Sequence, residues 1–276
     1  MASSTSSCDL VPASELRPEK YHFPPGKLQR CTQSGKTPLI LVACGSYSPP
    51  TFLHLRMFSM ASDFARMNTE FEVVGGYLSP VSDAYEKTGL VTAVHRIHMC
   101  QLAVQTSKWI NMDPWEAIQP EYVPTAKVLD HFEYEINSVL GGIEDASGSG
   151  KRLKARIALL AGADLIETMS SPDLWTEADL QHILGDFGVF VVERAGTDLN
   201  DALTNLKKWQ HNIHRIPQVV PNEISSTKIR NLLKQRMSVE YLIPKGVIEY
   251  IEENRLYMNG EEKEGGSGDE RRDGRK

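Results

Sequence analysis

Residues 39–56 of the chain read Leu-Ile-Leu-Val-Ala-Cys-Gly-Ser-Tyr-Ser-Pro-Pro-Thr-Phe-Leu-His-Leu-Arg. The run before the glycine is continuously apolar, which is typical of a strand buried on both faces of a sheet. Gly45 then allows a tight turn and a close approach of a ligand to the backbone. The residues that follow predict a helix whose opening carries Thr51 and His54. A strand, a glycine turn and a helix in this order favour an α/β protein with a parallel sheet.

The same alternation of strands and helices continues along the chain. Apolar runs predict strands at residues 39–44, 71–78, 109–112, 157–161, 189–192 and 214–220. Helical spacing of apolar residues predicts helices at residues 53–67, 92–106, 125–140, 177–184, 202–209, 226–235 and 247–253. This pattern predicts an α/β fold, with a doubly wound parallel sheet covered by helices on both faces. Ligands of such sheets bind at the carboxyl ends of the strands, where the topology reverses.

The chain divides into one domain with a polar segment at each end. Residues 1–36 contain four prolines and no usable apolar period, so we expect a flexible N-terminal extension. Residues 37–258 carry the alternating pattern and predict a single domain with a small C-terminal helical part. Within it, residues 141–155 begin with a glycine- and serine-rich stretch and predict an exposed loop. Residues 259–276 are charged and glycine-rich and predict a disordered tail.

Composition narrows the class of protein. With 276 residues, of which 41% are hydrophobic, the chain is long enough for a substantial core. A net charge of −6 argues against general nucleic-acid binding, which usually needs a basic face. The four cysteines lack metal-ligand spacing, and no apolar run approaches the ~20 residues of a membrane helix. Since the N-terminus also lacks a secretory signal, we expect a cytoplasmic or nuclear protein without membrane or nucleic-acid partners.

A second motif lies at residues 224–230, which read Ile-Ser-Ser-Thr-Lys-Ile-Arg. Ser225 or Ser226 would cap a helix at this point. Lys228 and Arg230 then lie in the first two turns, where a cation opposes the helix dipole unless an anion is near. A capped amphipathic helix explains the hydroxyl groups and leaves the two cations unexplained. Together with the first motif, this pattern predicts a site for the phosphates of a nucleoside triphosphate.

The first motif also has a purely structural interpretation. Gly45 would serve in an ordinary strand-to-helix turn, and His54 would pack between Leu53 and Leu55. A histidine near the positive end of a helix would instead donate a hydrogen bond to a phosphoryl oxygen. The second motif favours the latter interpretation, because it supplies the other groups that a phosphate site needs.

Other candidates follow strands or lie in turns, and each leaves two interpretations open. Asp164 ends a strand, where it would accept from a ribose or an amide or would cap the next helix. Trp115 and Trp175 would stack on a planar base or cover the domain surface. Arg194 would reach a phosphate or form a salt bridge. Lys87 lies in a turn-rich segment at the carboxyl side of the predicted sheet.

Taken together, these motifs resemble the eukaryotic-type nicotinamide/nicotinate mononucleotide adenylyltransferases, within the nucleotidylyltransferase superfamily of Rossmann-like folds. Matching stretches occur in family order at residues 45–49, 54–56, 79–85, 94–96, 109–116, 162–165, 174–175, 194–196 and 224–230. Many superfamily members carry His-x-Gly-His in the first motif, where this chain has Thr51 in place of the first histidine. The eukaryotic branch typically has this threonine, so the departure favours that branch.

The resemblance implies a defined reaction. The phosphate of nicotinamide or nicotinate mononucleotide attacks the α-phosphorus of ATP and yields NAD, or its deamido form, and pyrophosphate. The family needs Mg²⁺, which the ATP phosphates hold without a dedicated protein ligand. Such a transfer depends on positioning and charge neutralisation more than on a protein nucleophile.

The resemblance also implies roles for individual residues. ATP would be bound by Gly45, Ser46, Tyr47, His54, Ser226, Thr227, Lys228 and Arg230. His54 and Arg230 would be the catalytic residues. The mononucleotide would be bound by Lys87, Trp115, Tyr122, Thr125, Gly162, Asp164, Leu174, Trp175, Arg194 and Asn222. A homo-oligomer is expected from the family analogy alone.

Three other functions compete with this one. A binding or chaperone-like protein without turnover would be expected to lose His54, Lys228 and Arg230, which this chain retains. A dehydrogenase is disfavoured, because no Gly-x-Gly-x-x-Gly motif follows a predicted strand. Adenylyl transfer to another acceptor, such as pantetheine phosphate, is disfavoured by Trp175 and by the segment at residues 79–85.

Overall fold

The computed structural model describes residues 10–33, 35–147, 150–171, 174–193 and 199–258. This part of the chain contains a six-stranded sheet in which all neighbouring strands are parallel. The strands are β1 Thr37–Gly45, β2 Phe71–Pro80, β3 Ile110–Met112, β4 Arg156–Gly162, β5 Val189–Val192 and β6 Ile213–Ile216. Their order across the sheet is β3-β2-β1-β4-β5-β6. The winding thus reverses between β1 and β4, which confirms the predicted doubly wound, Rossmann-like sheet.

Helices cover both faces of this sheet. The described α-helices are α1 Phe52–Asn68, α2 Ala93–Val104, α3 Thr125–Glu133, α4 Ala163–Met169, α5 Glu177–Leu180, α6 Asn200–Asn205, α7 Ser226–Lys234 and α8 Lys245–Glu253. Wider π-helical turns extend α3 over Tyr134–Val139 and α5 over Gln181–Phe187, and a 3₁₀ segment at Lys207–Asn212 follows α6. None of the described helices is both long and apolar enough to cross a membrane.

Strand β1 runs through the middle of the core. Leu39, Ile40, Leu41 and Val42 have no accessible surface. Because side chains alternate along a strand, the two leucines pack with α1 and α2 on one face of the sheet. The isoleucine and the valine pack with α3 and α4 on the other face. Each such side chain stabilises the fold by about 1.5–3 kcal/mol through removal from water, which explains the continuous apolar run.

One predicted strand is too long. The sequence predicts a strand at residues 214–220, whereas β6 ends at Ile216. Pro217 follows and has no N–H to donate to the neighbouring strand. Val219 and Val220 are 89% and 70% exposed, so the apolar run continues past the sheet without joining it.

The predicted C-terminal helical part packs on α2. Helices α7 and α8 share a hydrophobic cluster with α2, to which Met99, Ile229, Leu233, Val247 and Ile251 contribute. This packing brings the second sequence motif, at the start of α7, to the side of the sheet that carries α1.

The N-terminal segment differs from the flexible extension that the sequence predicts. In residues 10–33, Leu28 is buried and the Phe23 side chain packs against the main core. The backbone N–H of Gln29 donates to Val74 O in β2 at 2.8 Å. The expectation is therefore wrong for this part, because apolar side chains and backbone bonds attach it to the sheet. Residues 1–9 and the predicted tail at 259–276 lie outside the described residues.

The predicted exposed loop at residues 141–155 also contains regular structure. Strand Ile143–Asp145 pairs in parallel with Cys31–Thr32 and antiparallel with Arg152–Leu153. Ile143 and Ala155 are buried, whereas residues near the tip, such as Ser147, are exposed. The expectation of an exposed loop is therefore wrong at its two ends, where the chain joins a small second sheet.

Candidate active site

A cavity of about 290 Å³ opens at the carboxyl ends of β1 and β4, where the order of the sheet reverses. Residues that line it include Gly45, Tyr47, His54, Gly162, Asp164 and Ser225. Strands β1 and β4 end at Gly45 and Gly162, so the two central strands deliver their last residues to one cavity. Helices α1 and α7 begin beside it, and the free N–H groups of helix starts favour anions.

The turn after β1 folds the Tyr47 side chain back against the strand. Its hydroxyl donates to the carbonyl oxygen of Ala43 at 2.6 Å, and the residue is buried. The backbone of Tyr47 has φ +44°, in the left-handed region. A Cβ atom on Gly45 would lie 3.1 Å from the Tyr47 ring, so a side chain there would press on the ring. Close packing thus favours glycine at this position, and Gly45 and Tyr47 both line the cavity.

His54 is held as a neutral hydrogen-bond donor. The backbone N–H of Thr51 donates to His54 Nδ1 at 2.9 Å, so Nδ1 is an acceptor and the ring proton sits on Nε2. The ring packs edge-on against Tyr47 with 5.1 Å between centroids. Burial lowers the pKa of His54 to about 4, which keeps the imidazole uncharged at neutral pH. The site therefore offers a fixed N–H group rather than a cation at this point.

We expect His54 in the free protein to remain neutral until the pH falls to about 4. Its pKa in an unfolded chain is about 6.5, so the folded protein binds this proton less tightly. The contribution of neutral His54 to stability is therefore complete above pH ~6.5 and is lost as the pH falls through about 4. Nitrogen-15 NMR of the imidazole would report its pKa and which of its two nitrogens carries the proton. A ring that titrates near pH ~6.5, or one protonated at Nδ1, would contradict the assignment.

Helix α7 is tied directly to the loop after β1. Ser226 Oγ donates to the carbonyl oxygen of Pro49 at 2.8 Å. Arg230 donates from Nη1 to the carbonyl oxygen of Ser48 at 2.9 Å and from Nη2 to Thr227 Oγ1 at 3.3 Å. These bonds join the two sequence motifs directly, although Ser226 and Pro49 are 177 residues apart in the chain. A guanidinium group at this position can bind phosphate oxygens through its planar fork.

The cations of α7 are partly explained by the structure. Ser225 caps the helix and accepts from the backbone N–H of Lys228 at 3.3 Å. The Lys228 ammonium group lies 3.0 Å from the carboxylate of Glu223, and both side chains are exposed. Exposed pairs of this kind contribute only about 0–1 kcal/mol. Lys228 is therefore available to exchange Glu223 for a phosphate at little cost.

The remaining predicted residues are not among those that line this cavity. Those predicted for ATP are Ser46, Ser226, Thr227, Lys228 and Arg230, and those predicted for the mononucleotide are Lys87, Trp115, Tyr122, Thr125, Leu174, Trp175 and Asn222. Arg194 lies outside the described residues. The cavity thus brings together the predicted backbone and imidazole groups, and the roles of the others stay predictions.

The predicted aromatic residues each have a protein partner. The indole N–H of Trp175 points to Thr168 Oγ1 at 3.4 Å, and its ring packs on the main core. Tyr122 is 52% exposed and stacks with Tyr85, with ring centroids 5.9 Å apart. Trp115 stacks on a histidine of α3. Trp115, Trp175 and Tyr122 keep part of their surface open, as a stacking platform for a planar ring requires.

The other residues predicted for the mononucleotide lie in loops or at helix starts. Lys87 and Leu174 are exposed, and Thr125 is the first residue of α3. Asn222 Oδ1 accepts from the backbone N–H of Ile224 at 2.9 Å and thereby shapes the approach to α7. This bond gives Asn222 a local structural role in addition to the one predicted from the resemblance.

Arg96 has no role in the sequence interpretation beyond its place in a matching stretch. Its side chain is fully buried on α2 and donates to the carbonyl oxygens of Val81 at 2.6 Å and Val91 at 3.0 Å. It also bonds Asp83 at 3.2 Å. Arg96 thus holds both ends of the segment that carries Lys87. The signal in the sequence is an arginine on the inward side of an apolar helix.

Glu116 is a second group that the sequence leaves without a role. Its carboxyl is buried and accepts a hydrogen bond from Ser79 Oγ at 2.5 Å. Burial raises the pKa of Glu116 to about 8, although Ser79 and Arg96 oppose the shift. A carboxyl that keeps its proton at neutral pH adds little negative charge near Cys44 and Tyr47, which line the cavity.

The fold and the cavity define a class of protein. The Rossmann-like sheet has a cavity at its switch point, next to a glycine turn and the starts of two helices, and the start of α7 adds two cations. This arrangement is a nucleotide-binding architecture. Residues 42–232 match the family described as cytidylyltransferase-like.

Comparison with known proteins narrows the class. The chain is 50% identical over 246 residues to nicotinamide/nicotinic acid mononucleotide adenylyltransferase 1 of Saccharomyces cerevisiae, covering 87% of this chain and 61% of that protein. It is 37% identical over 258 residues to the Bos taurus protein of the same name, covering 83% of this chain and 92% of that one. The chain belongs to the nicotinamide/nicotinic acid mononucleotide adenylyltransferases. It spans 61% and 62% of the length of two Saccharomyces cerevisiae relatives.

A solved structure supports the fold. The nicotinic acid mononucleotide adenylyltransferase of Plasmodium falciparum, complexed with APC, superposes with a TM-score of 0.56. The match covers 79% of this chain and 96% of that one at 19% sequence identity. At this identity the likeness shows the shared fold.

Proposed function

We propose that this protein transfers the adenylyl group of ATP to nicotinamide or nicotinate mononucleotide, as the last step in making NAD or its deamido form. The observation that carries the proposal is the arrangement of His54 and Arg230 around the glycine turn. His54, whose proton is on Nε2, lines the cavity, and Arg230 reaches the loop after β1 from α7. The names of the relatives support the choice of acceptor.

The reaction needs no protein nucleophile. A phosphate oxygen of the mononucleotide attacks the α-phosphorus of ATP, and the bond from that phosphorus to the β-phosphate oxygen breaks. Pyrophosphate leaves with the electron pair of the broken bond. The N–H of His54 stabilises the charge that develops on the α-phosphoryl oxygens. Arg230 and the N–H groups at the start of α7 hold the β- and γ-phosphates.

Mg²⁺ enters with its substrate as MgATP in this proposal. In the described ranges of the chain, no group of three or more His, Cys, Asp or Glu side chains is placed to hold a metal ion. Mg²⁺ is commonly bound through substrate phosphates with only one or two protein carboxylates. We propose that the phosphate oxygens of ATP and water supply most of its coordination.

The proposal is tested with the purified chain, MgATP and nicotinamide mononucleotide, with NAD followed through a coupled dehydrogenase. Nicotinate mononucleotide and pantetheine phosphate serve as parallel acceptors, with pyrophosphate release as a common readout. Formation of NAD supports the proposed reaction. Pyrophosphate release with pantetheine phosphate alone would move the function to another acceptor. A folded protein that binds ATP and transfers to none of the three would favour a non-catalytic role.

Trp175 provides a test of the mononucleotide side. We expect Trp175→Ala to raise the KM for the mononucleotide by about 10-fold, because stacking on an aromatic ring is worth ~1–3 kcal/mol per base. The KM for ATP should change less than about twofold. Trp175→Phe is the matched control, since it keeps a smaller stacking surface. Its KM for the mononucleotide should lie between those of the natural chain and Trp175→Ala. An equal loss for both substrates would show that Trp175 supports the fold instead.

The cellular setting is proposed from composition and family. A net charge of −6 supports a protein without general nucleic-acid partners, and we propose the cytoplasm or nucleus as its compartment. We also propose a homo-oligomer. Analytical ultracentrifugation over a range of concentrations would test the oligomer, and a monomer at micromolar concentration would exclude it as the working form.

A further inference from the structure

A cluster of polar and aromatic side chains lies beyond the carboxyl end of β3. The imidazole of His131 on α3 lies parallel to the indole of Trp115, with 4.1 Å between ring centroids and 3° between ring planes. Asp113 Oδ1 accepts from the backbone N–H of Trp115 at 3.1 Å, and Asp113 Oδ2 is 3.1 Å from His131 Nε2. The histidine and the aspartate are buried, whereas the indole is partly exposed. One face of the indole is therefore covered and its orientation is held.

The N-terminal segment completes this cluster. Tyr21 Oη lies 3.1 Å from Asp113 Oδ2 and 2.9 Å from His131 Nε2, which closes a triangle of three polar groups. Burial and the nearby Asp113 carboxylate raise the pKa of Tyr21, so the phenol keeps its proton. Because a carboxylate only accepts, Tyr21 donates to Asp113. The Nε2–H of His131 points to Asp113 Oδ2 and to Tyr21 Oη. Every polar atom of the triangle has a partner.

The segment that carries Tyr21 is anchored on both sides of this residue. The ring of Phe23 packs on Tyr77 in β2 and on Phe132 in α3, at centroid distances of 5.2 and 6.0 Å. On the other side, the carbonyl oxygen of Val11 lies 2.7 Å from Nε2 of His98 on α2. Residues 10–33 thus form a strap that contacts α2, α3 and β2 and ends in the small second sheet.

Trp115 lies at the same edge of the sheet as the cavity. The backbone N–H of Asp113 donates to the carbonyl oxygen of Leu78 at 2.9 Å, which continues the pairing of β3 with β2 beyond the last residue of β3. Carboxyl ends of parallel strands meet at one edge, and this edge also carries Gly45 and the phosphate site. The open face of the indole is thus within the region where the acceptor must bind.

We propose that Tyr21 and His131 are positioning residues that act through Trp115. They hold the indole from its covered side, so that its open face receives the planar ring of the mononucleotide. This inference rests on the proposed function, and it assigns the strap a part in mononucleotide specificity. ATP contacts lie at the glycine turn and α7, so the strap acts on one substrate only.

The first test is Tyr21→Phe, which removes one hydroxyl and keeps the ring. We expect the KM for the mononucleotide to rise by about three- to tenfold, as for loss of one buried hydrogen bond, with kcat and the KM for ATP within about twofold. His131→Phe keeps an aromatic ring under Trp115 without the polar bonds and should behave in the same way. Tyr134→Phe, at a 60% exposed tyrosine just after α3, is the matched control and should change nothing.

A double-mutant cycle distinguishes positioning from general stability. If Tyr21 acts through Trp115, Tyr21→Phe should change the mononucleotide KM by less than about 1.5-fold when Trp115→Ala is already present. An effect of equal size in both backgrounds would overturn the inference. Thermal unfolding of each variant provides the control for folding, and Tyr21→Phe and His131→Phe should melt within a few degrees of the natural chain.

The outcomes separate the inference from the function on which it rests. NAD formation by the natural chain with an unchanged mononucleotide KM in Tyr21→Phe and His131→Phe would overturn the inference alone. NAD formation with an unchanged KM in Trp115→Ala would do the same, since the indole would then not bind the substrate. Absence of NAD formation by the natural chain would overturn both.

Discussion

His54→Ala is expected to lower kcat by ~10²–10³ while the KM values for both substrates change little. The reason lies in the geometry of the imidazole. The N–H of Thr51 fixes Nδ1 as an acceptor, so the Nε2–H is held ready before substrate binds. A donor that is already oriented costs no reorganisation when charge develops on the α-phosphoryl group. Single-turnover measurements with saturating MgATP and mononucleotide would separate the chemical step from product release.

Matched variants make the His54 result specific. His54→Gln restores an amide N–H without the imidazole and should recover part of the lost rate. His211→Ala alters an exposed histidine outside the cavity lining and should leave kcat unchanged. Turnover of His54→Ala within about threefold of the natural chain would remove this residue from the mechanism.

Arg230→Ala should lower kcat/KM for ATP by about 10²-fold, because a charge-assisted bond to phosphate contributes ~1.5–3 kcal/mol and one guanidinium can make two. The same guanidinium ties α7 to the loop after β1 through Ser48 O at 2.9 Å. The variant therefore also loosens the link between the two motifs. Steady-state kinetics with each substrate varied in turn, and ATP binding by calorimetry, would measure the effect.

Two further variants distinguish the effect of the positive charge of Arg230 from the effect of its planar guanidinium group. Arg230→Lys keeps the cation without the planar fork and should retain an intermediate activity. Lys234→Ala removes an exposed cation at the other end of the same helix and serves as the control for net charge. If Arg230→Ala weakened the binding of the mononucleotide as strongly as the binding of ATP, the arginine would be acting on the fold of the loop rather than on phosphates.

The central sheet was predictable because its strands are buried on both faces. Double burial requires continuous apolar runs, and these runs stand out in the sequence at β1, β2, β4 and β5. The short strand β6 was predicted too long, because an apolar run alone does not show where pairing stops. The small second sheet was missed, since strands such as Cys31–Thr32 are too short to show a period.

The positions of the residues that we propose to bind phosphate were predictable for a related reason. Gly45, His54 and the residues at the start of α7 lie next to local signals, namely the end of an apolar run and a serine cap. Arg96 and Tyr21 carry no such signal. Their partners lie 5 to 110 residues away in the chain, so their roles depend on contacts that only folding creates.

The sequence by itself determined the α/β class, the parallel sheet and the two motifs of the proposed phosphate site, because burial and capping act over a few neighbouring residues. Only the tertiary structure decided which nitrogen of His54 carries the proton, how Arg230 reaches the loop after β1, and that Tyr21 contacts Asp113 and His131. These features arise from hydrogen bonds and ring contacts between distant segments. Such contacts depend on distances and angles in space, which local spacing along a chain does not encode.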